Sequence, residues 1–113
     1  MTDCLFCKMV NKEIPTTIVY EDDDVLAFND IAPKAPVHVL IIPKKHIESL
    51  AAATEEDARI LGKLQMVAHK LAEDLGIAES GYRVLTNSGK DSGQVVFHLH
   101  YHLVGGKTLG DIC

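Results

Sequence analysis

Three histidines in strict alternation, within the run His98-Leu99-His100-Tyr101-His102, are the side chains of this sequence best suited to chemistry. An imidazole titrates near ~6.5, so at neutral pH much of it offers a free lone pair. It can attack phosphorus, pass a proton or bind zinc. On a strand, residues two apart face the same way, about 6 to 7 Å from one another. That is too far for direct bonding, but it lets the three rings line one groove able to hold a phosphate. Val95, Phe97, Leu99, Tyr101 and Leu103 would face the opposite way, into a core. Spacing alone does not separate a catalytic row from a row of metal ligands.

A second feature is the pair Cys4-x-x-Cys7. With Cys113 the cysteines number three, an odd count that argues against a disulfide framework and for thiols or metal ligands. Two cysteines make half of a tetrahedral zinc site, so the other ligands must come from elsewhere in the chain. His69, on a helical stretch away from these signals, reads as a structural or exposed residue.

The elements that would carry these residues follow from pattern. Thr17 to Tyr20 and Val25 to Asn29 are β-branched or aromatic runs around the acidic turn Glu21-Asp22-Asp23-Asp24, which predicts a hairpin. Pro36 introduces a third strand, Val37 to Ile42, ending at Pro43. Thr54-Glu55-Glu56-Asp57 has capping-box spacing, and apolar residues at Ala58, Leu61, Leu64, Ala68, Leu71 and Leu75 follow at helical intervals up to Gly76. One long helix from about Glu55 to Leu75 is expected. Tyr82 to Thr86 and Val95 to Val104 read as two more strands, joined by a loop rich in Gly, Ser and Asn. These elements make an α+β domain, an antiparallel sheet with a helix packed on it.

The 113 residues, 47% hydrophobic and 24% charged, suit one globular domain spanning 1–113. A net charge of −5 tells against a nucleic-acid polymer as partner, which needs surplus Lys and Arg, while leaving a single nucleotide open. No stretch approaches the ~20 apolar residues of a membrane span, and the first residues carry no basic and apolar leader, so the cytoplasm is the expected compartment.

His98-Leu99-His100-Tyr101-His102-Leu103-Val104 resembles the His-φ-His-φ-His-φ-φ signature of the histidine-triad (HIT) superfamily. Gly105-Gly106 follows as in its Hint branch, the purine nucleoside phosphoramidase-like proteins. Lys12-Glu13-Ile14-Pro15, Ala27-Phe28-Asn29-Asp30-Ile31, Ala35-Pro36-Val37-His38, Ile42-Pro43-Lys44-Lys45-His46 and Gly93-Gln94 are similar to Hint segments in the same order. The resemblance implies a five-stranded antiparallel meander with one long helix and a short N-terminal helix, and a homodimer. It also implies hydrolysis of purine nucleoside 5′-phosphoramidates or adenylyl conjugates through a nucleotidyl-histidine.

By the same resemblance His100 is the nucleophile, and His102 donates to the phosphoryl or leaving-group atom. His38 supports that relay. Asn87, Gly93 and Gln94 contact phosphate, where glycine lets backbone amides approach closely. Phe6, Met9, Phe28, Asn29, Ile31 and Leu40 surround the base, and Asp30 accepts from the ribose hydroxyls. Val95 stands where many Hint proteins carry a polar residue near the leaving group, so leaving-group preference should differ. Branches with the N-terminal cysteine pair bind structural zinc through it and two histidines, here Cys4, Cys7, His46 and His98. A dinucleoside polyphosphate hydrolase and a nucleotide-binding interaction protein with incidental turnover are the rival readings. A metal sensor, a third, requires more than one zinc per chain.

Overall fold

The computed structural model describes residues 4–111; Cys113 lies outside them. α1 (Leu5–Val10) leads into a hairpin of β1 (Ile18–Glu21) and β2 (Val25–Asn29), and β3 (Val37–Pro43) follows. The hairpin turns on Asp22, whose Oδ1 accepts from the amides of Asp24 and Val25 at 2.8 and 2.9 Å. This side-chain mimicry of a backbone turn is what aspartate does best.

A 3₁₀ turn over Glu55–Asp57 opens α2 (Ala58–Asp74). The expected cap is present: the Asp57 carboxylate accepts from the Thr54 amide at 2.9 Å. Gly76, at φ 77°, closes the helix. The two pieces together cover the helix expected from periodicity.

β4 (Tyr82–Thr86) and β5 (Tyr101–Gly105) complete a five-stranded antiparallel sheet in the order β1-β2-β3-β5-β4. Only the first three strands run as a meander. The chain crosses over through α2 to the far edge, and β5 returns between β3 and β4. The insertion matters for function because it makes the histidine-bearing strand central.

One sheet face (Val25, Ala27, Val39, Ile41, Tyr101, Leu103) packs on Leu64, Val67, Ala68 and Leu71 of α2 in the main core. The other face forms a smaller core of Leu26, Phe28, Leu40 and Ile42 under Phe6 of α1. Among the described residues, no helix is long and apolar enough to cross a membrane.

The expected strand Val95 to Val104 is shorter than its sequence pattern. Regular pairing begins only at Tyr101: Gly93, at φ 91°, turns the chain ahead of it, and the bonds of Leu99 and His100 lie outside the strand ladder. The Leu99 amide donates to Ile47 O at 2.6 Å, and His100 O accepts from Thr86 Oγ1 at 2.7 Å. Val95 and Phe97, expected in the core, are 84% and 53% exposed. The alternation survives from Leu99 onward: Leu99, Tyr101 and Leu103 enter the main core, while His98 and His100 lie against Phe6 on the opposite side.

Candidate functional site

His100 is buried, and its Nδ1 lies 2.7 Å from His98 O. A carbonyl only accepts, so Nδ1 carries the proton and Nε2 keeps its lone pair. Phe6 meets the ring edge-on at 5.1 Å between centroids. The Thr86 hydroxyl, on the neighbouring strand, holds the His100 carbonyl. The ring is thus fixed in both tautomer and orientation.

His38 on β3 and His102 on β5 are diagonal neighbours on one sheet face, since His102 pairs with Leu40 and His38 with Val104. His38 Nε2 and His102 Nδ1 are 2.8 Å apart, and the Lys34 amide donates to His38 Nδ1 at 3.0 Å. The backbone amide settles the tautomers. His38 Nδ1 accepts, so the proton of neutral His38 sits on Nε2 and donates to His102 Nδ1, and His102 keeps its own proton on Nε2.

Burial, reinforced by the neighbouring His100 and His38, pushes His102 down to about 4, against the pull of Asp30. Burial also lowers His38, although Asp30 Oδ2 stands 3.6 Å from its Nε2. The free protein therefore holds this pair neutral at pH 7. The rings of His100 and His102 are 5.1 Å apart, which puts a lone-pair imidazole beside an N–H imidazole.

Phe6, packed against His98 and His100, also lines a cavity of about 390 Å³ together with Met9, Phe28, Asn29, Asp30, Ile31 and Leu40. All seven residues assigned to base and ribose come together here. Ile31 is 99% exposed and forms a rim rather than a wall. Leu5, Pro15, Thr16 and Thr17 also line the cavity; of these, Pro15 fell within a stretch of family resemblance and Thr17 began the first expected strand, and none was marked as a site residue. A second cavity of about 430 Å³ adjoins His38 and His102 and shares Asp30. Its lining includes Lys34, Arg83 and Lys107, none of which the sequence marked as a site residue.

The loop residues part company. Asn87 follows β4 directly, and Gly93 adopts the left-handed conformation that glycine tolerates. The Gln94 side chain is committed to scaffold: Oε1 accepts from the Gly89 amide at 2.8 Å, and Nε2 donates to Glu48 O and Val96 O at 2.8 and 3.1 Å.

Cys4, Cys7, His46 and His98 bring their donor atoms within 4.8 Å of one another. Cys7 Sγ lies 3.2 Å from His46 Nδ1 and 3.6 Å from His98 Nδ1, and Cys4 Sγ lies 3.4 Å from His98 Nδ1. Zinc bonds of about 2.0 to 2.3 Å imply tetrahedral edges of roughly 3.3 to 3.8 Å. The cluster fits such an ion.

Two further observations support the fit. His98 Nε2 is 2.8 Å from Pro43 O, so its proton is there and the Nδ1 lone pair faces the sulfurs. His46 Nε2, buried and without a partner among the described residues, leaves Nδ1 as the nitrogen of that ring engaged with the cluster. Burial, then Cys4, raises the Cys7 thiol to about 11, so an ion would have to displace a proton to bind.

Residues 11–109 match the HIT domain family. The chain is 52% identical over 105 residues to an uncharacterized HIT-like protein of Synechocystis, covering 93% of this chain and 91% of that protein. It is 47% identical over 108 residues to the purine nucleoside phosphoramidase of Escherichia coli K12, covering 96% and 91%. Among solved structures, a HIT family hydrolase from Clostridium thermocellum superposes with a TM-score of 0.95 at 55% identity, over 98% of this chain and 96% of that one. A histidine triad protein from Clostridium difficile gives 0.95 at 49%, with the same coverage. Agreement in sequence, fold and the alternating histidines leads to one conclusion: the chain belongs to the HIT domain family.

Proposed function

We propose that this protein hydrolyses purine nucleoside 5′-phosphoramidates or related adenylyl conjugates through a covalent nucleotidyl intermediate on His100. The observation that carries the reading is the His100 Nδ1 to His98 O bond. It leaves Nε2 nucleophilic without needing a strong base, on a ring packed against Phe6, which lines a nucleoside-sized cavity. The name of the Escherichia coli relative supports the substrate class.

In the first step His100 Nε2 forms a bond to the α-phosphorus, and the phosphorus–nitrogen bond breaks. The departing nitrogen takes a proton from the His38–His102 pair. The negative phosphate brings the opposite charge that raises the pKa of this pair, so the complex holds the proton that the free protein refuses. His100 keeps its Nδ1 proton, so the adduct is cationic at the ring and a good leaving group. In the second step water attacks phosphorus, gives its proton to the pair, and the bond to His100 breaks. The nucleoside monophosphate leaves and the pair is restored.

Asp30 would accept from the ribose hydroxyls, with Asn87 and Gly93 on the phosphate side. Zinc on Cys4, Cys7, His46 and His98, when bound, supplies a tetrahedral anchor and no reacting group. The same reading takes the protein as a homodimer of single-domain chains working in the cytoplasm. The second cavity with its cationic lining favours one further reading, in which a polyphosphate leaving group of a dinucleoside occupies it.

The test is intact-protein mass spectrometry of wild type and His100→Ala, mixed briefly with adenosine 5′-phosphoramidate and quenched at alkaline pH. An adenylyl adduct and AMP release confined to wild type are expected. Binding with neither adduct nor turnover would make the protein a nucleotide binder. Faster release of AMP from a diadenosine polyphosphate would favour the second reading.

A further inference from the structure

His98 is bound at three points. Its Nδ1 faces Cys4 and Cys7, its Nε2 faces Pro43 O, and its own carbonyl accepts from His100 Nδ1. The atom that fixes the tautomer of His100 therefore belongs to a residue of the cysteine-histidine cluster. A second path runs through α1. Phe6 sits between Cys4 and Cys7 in the chain and meets His98 at 5.9 Å, His100 at 5.1 Å and Phe28 at 5.5 Å, all edge-on. It also forms a wall of the nucleoside cavity.

The helix bearing Phe6 spans only six residues, too few to be stable alone. Its contacts with the sheet are Phe6 itself and the cluster, with Cys4, Met9 and Val10 packing at the margin. Nothing in the proposed chemistry needs two thiols 94 and 91 residues from His98 in sequence. Their placement makes sense as a device that holds His98 and Phe6 together.

We infer that Cys4, Cys7 and His46 are positioning residues for the reaction: by fixing a zinc ion on His98, they set the carbonyl that orients His100 and the Phe6 wall that receives the base. The inference rests on the zinc and His100 assignments above. It makes activity and nucleotide affinity depend on metal occupancy while α2, which packs on the opposite face of the sheet from Phe6 and Cys4, stays folded. Cys4 and Cys7 are partly exposed, so the ion is open to chelators and to thiol oxidation in a way that the buried His98 is not.

The experiment compares the full chain loaded with one zinc, the same chain stripped by chelator, and the variants Cys7→Ser and Cys7→His. Four readouts are taken: long-range proton–nitrogen NMR of the His100 ring, AMP affinity by calorimetry, kcat, and the amide spectrum of α2 as a monitor of folding. On stripping, and in Cys7→Ser, His100 should pass from the single Nδ1–H tautomer to a mixture. AMP should bind about tenfold more weakly, the scale of one lost aromatic contact. kcat should fall on the order of 100-fold, as for a reacting group displaced by about an ångström. The α2 amides should not move, and Cys7→His, which restores a fourth donor, should recover all three losses.

An unchanged tautomer and affinity in the stripped, folded chain would overturn the inference. So would stripping that unfolds α2 in step with every other signal, which would reduce the cluster to a staple for the fold. The tautomer and AMP readouts need no turnover, so they still report the coupling if His100 proves not to be the nucleophile.

Discussion

Replacing Gln94 by alanine separates a scaffold residue from a substrate contact. The side chain is 7% exposed and makes three hydrogen bonds, to the Gly89 amide and to the carbonyls of Glu48 and Val96. Each such bond contributes about 1 kcal/mol net, so the sum is about 3 kcal/mol. The freed backbone groups belong to loop residues, Glu48 exposed and Gly89 and Val96 half-buried, that water can reach. Rehydration brings the expected loss to about 2 kcal/mol. For a domain of this size about 4 °C in Tm accompanies each kcal/mol, so the melting temperature should fall by about 8 °C. Because the bonds tie 89–96 to the segment after β3, the phosphate-side loop should loosen and KM should rise with the stability loss. Calorimetric melting and steady-state kinetics on the same preparation decide it. A raised KM with Tm within about 1 °C of wild type would refute the reasoning and make Gln94 a direct phosphate ligand.

Other expectations follow from the same geometry. His102 is held near 4 against an ordinary value of 6.5. Between those pH values the unfolded chain binds protons that the folded chain refuses, so stability is full above about pH 6.5 and falls as pH drops toward 4. Urea melts across this range should show the slope, and His102→Asn should reduce it. Saturating AMP should raise the NMR-measured pKa of the His38–His102 pair, because a phosphate adds opposite charge beside it; a fall would contradict the proton relay. Gly105→Ala would place a Cβ 2.8 Å from Ile77 Cδ1 and 3.3 Å from Tyr82 Cβ, at a cost of about 1 to 3 kcal/mol. Ile77→Val should recover part of it in a double-mutant cycle. Zinc titration of the apo chain should saturate at one ion per chain with release of thiol protons at pH 7, since burial and Cys4 keep Cys7 protonated in its absence; calorimetry in buffers of different ionisation enthalpy measures the count.

Periodicity carried much of this protein. The hairpin about Asp22, the strand before Pro43, the capped helix and the alternation of Leu99, Tyr101 and Leu103 are local patterns, and local patterns are read directly from side-chain type and interval. The same logic overreached at Val95 and Phe97. Their apolar character suggested a strand, but the chain turns at Gly93 and regular pairing starts only at Tyr101, and both side chains stay at the surface. The place of β5 between β3 and β4 was also out of reach, because strand order is a matter of nonlocal pairing.

Residue type and spacing were enough to say which groups are available for chemistry: three alternating histidines, a cysteine pair, and a family resemblance that named the base, ribose and relay positions. They could not determine which nitrogen of each ring bears the proton. That depends on single backbone atoms, His98 O for His100, the Lys34 amide for His38 and Pro43 O for His98. Backbone groups are the same in every residue, so their use as hydrogen-bond partners leaves no trace in residue identity. Only the folded chain, by bringing β3, β5 and the cysteine-bearing helix together, decides that His100 presents a lone pair and His102 an N–H.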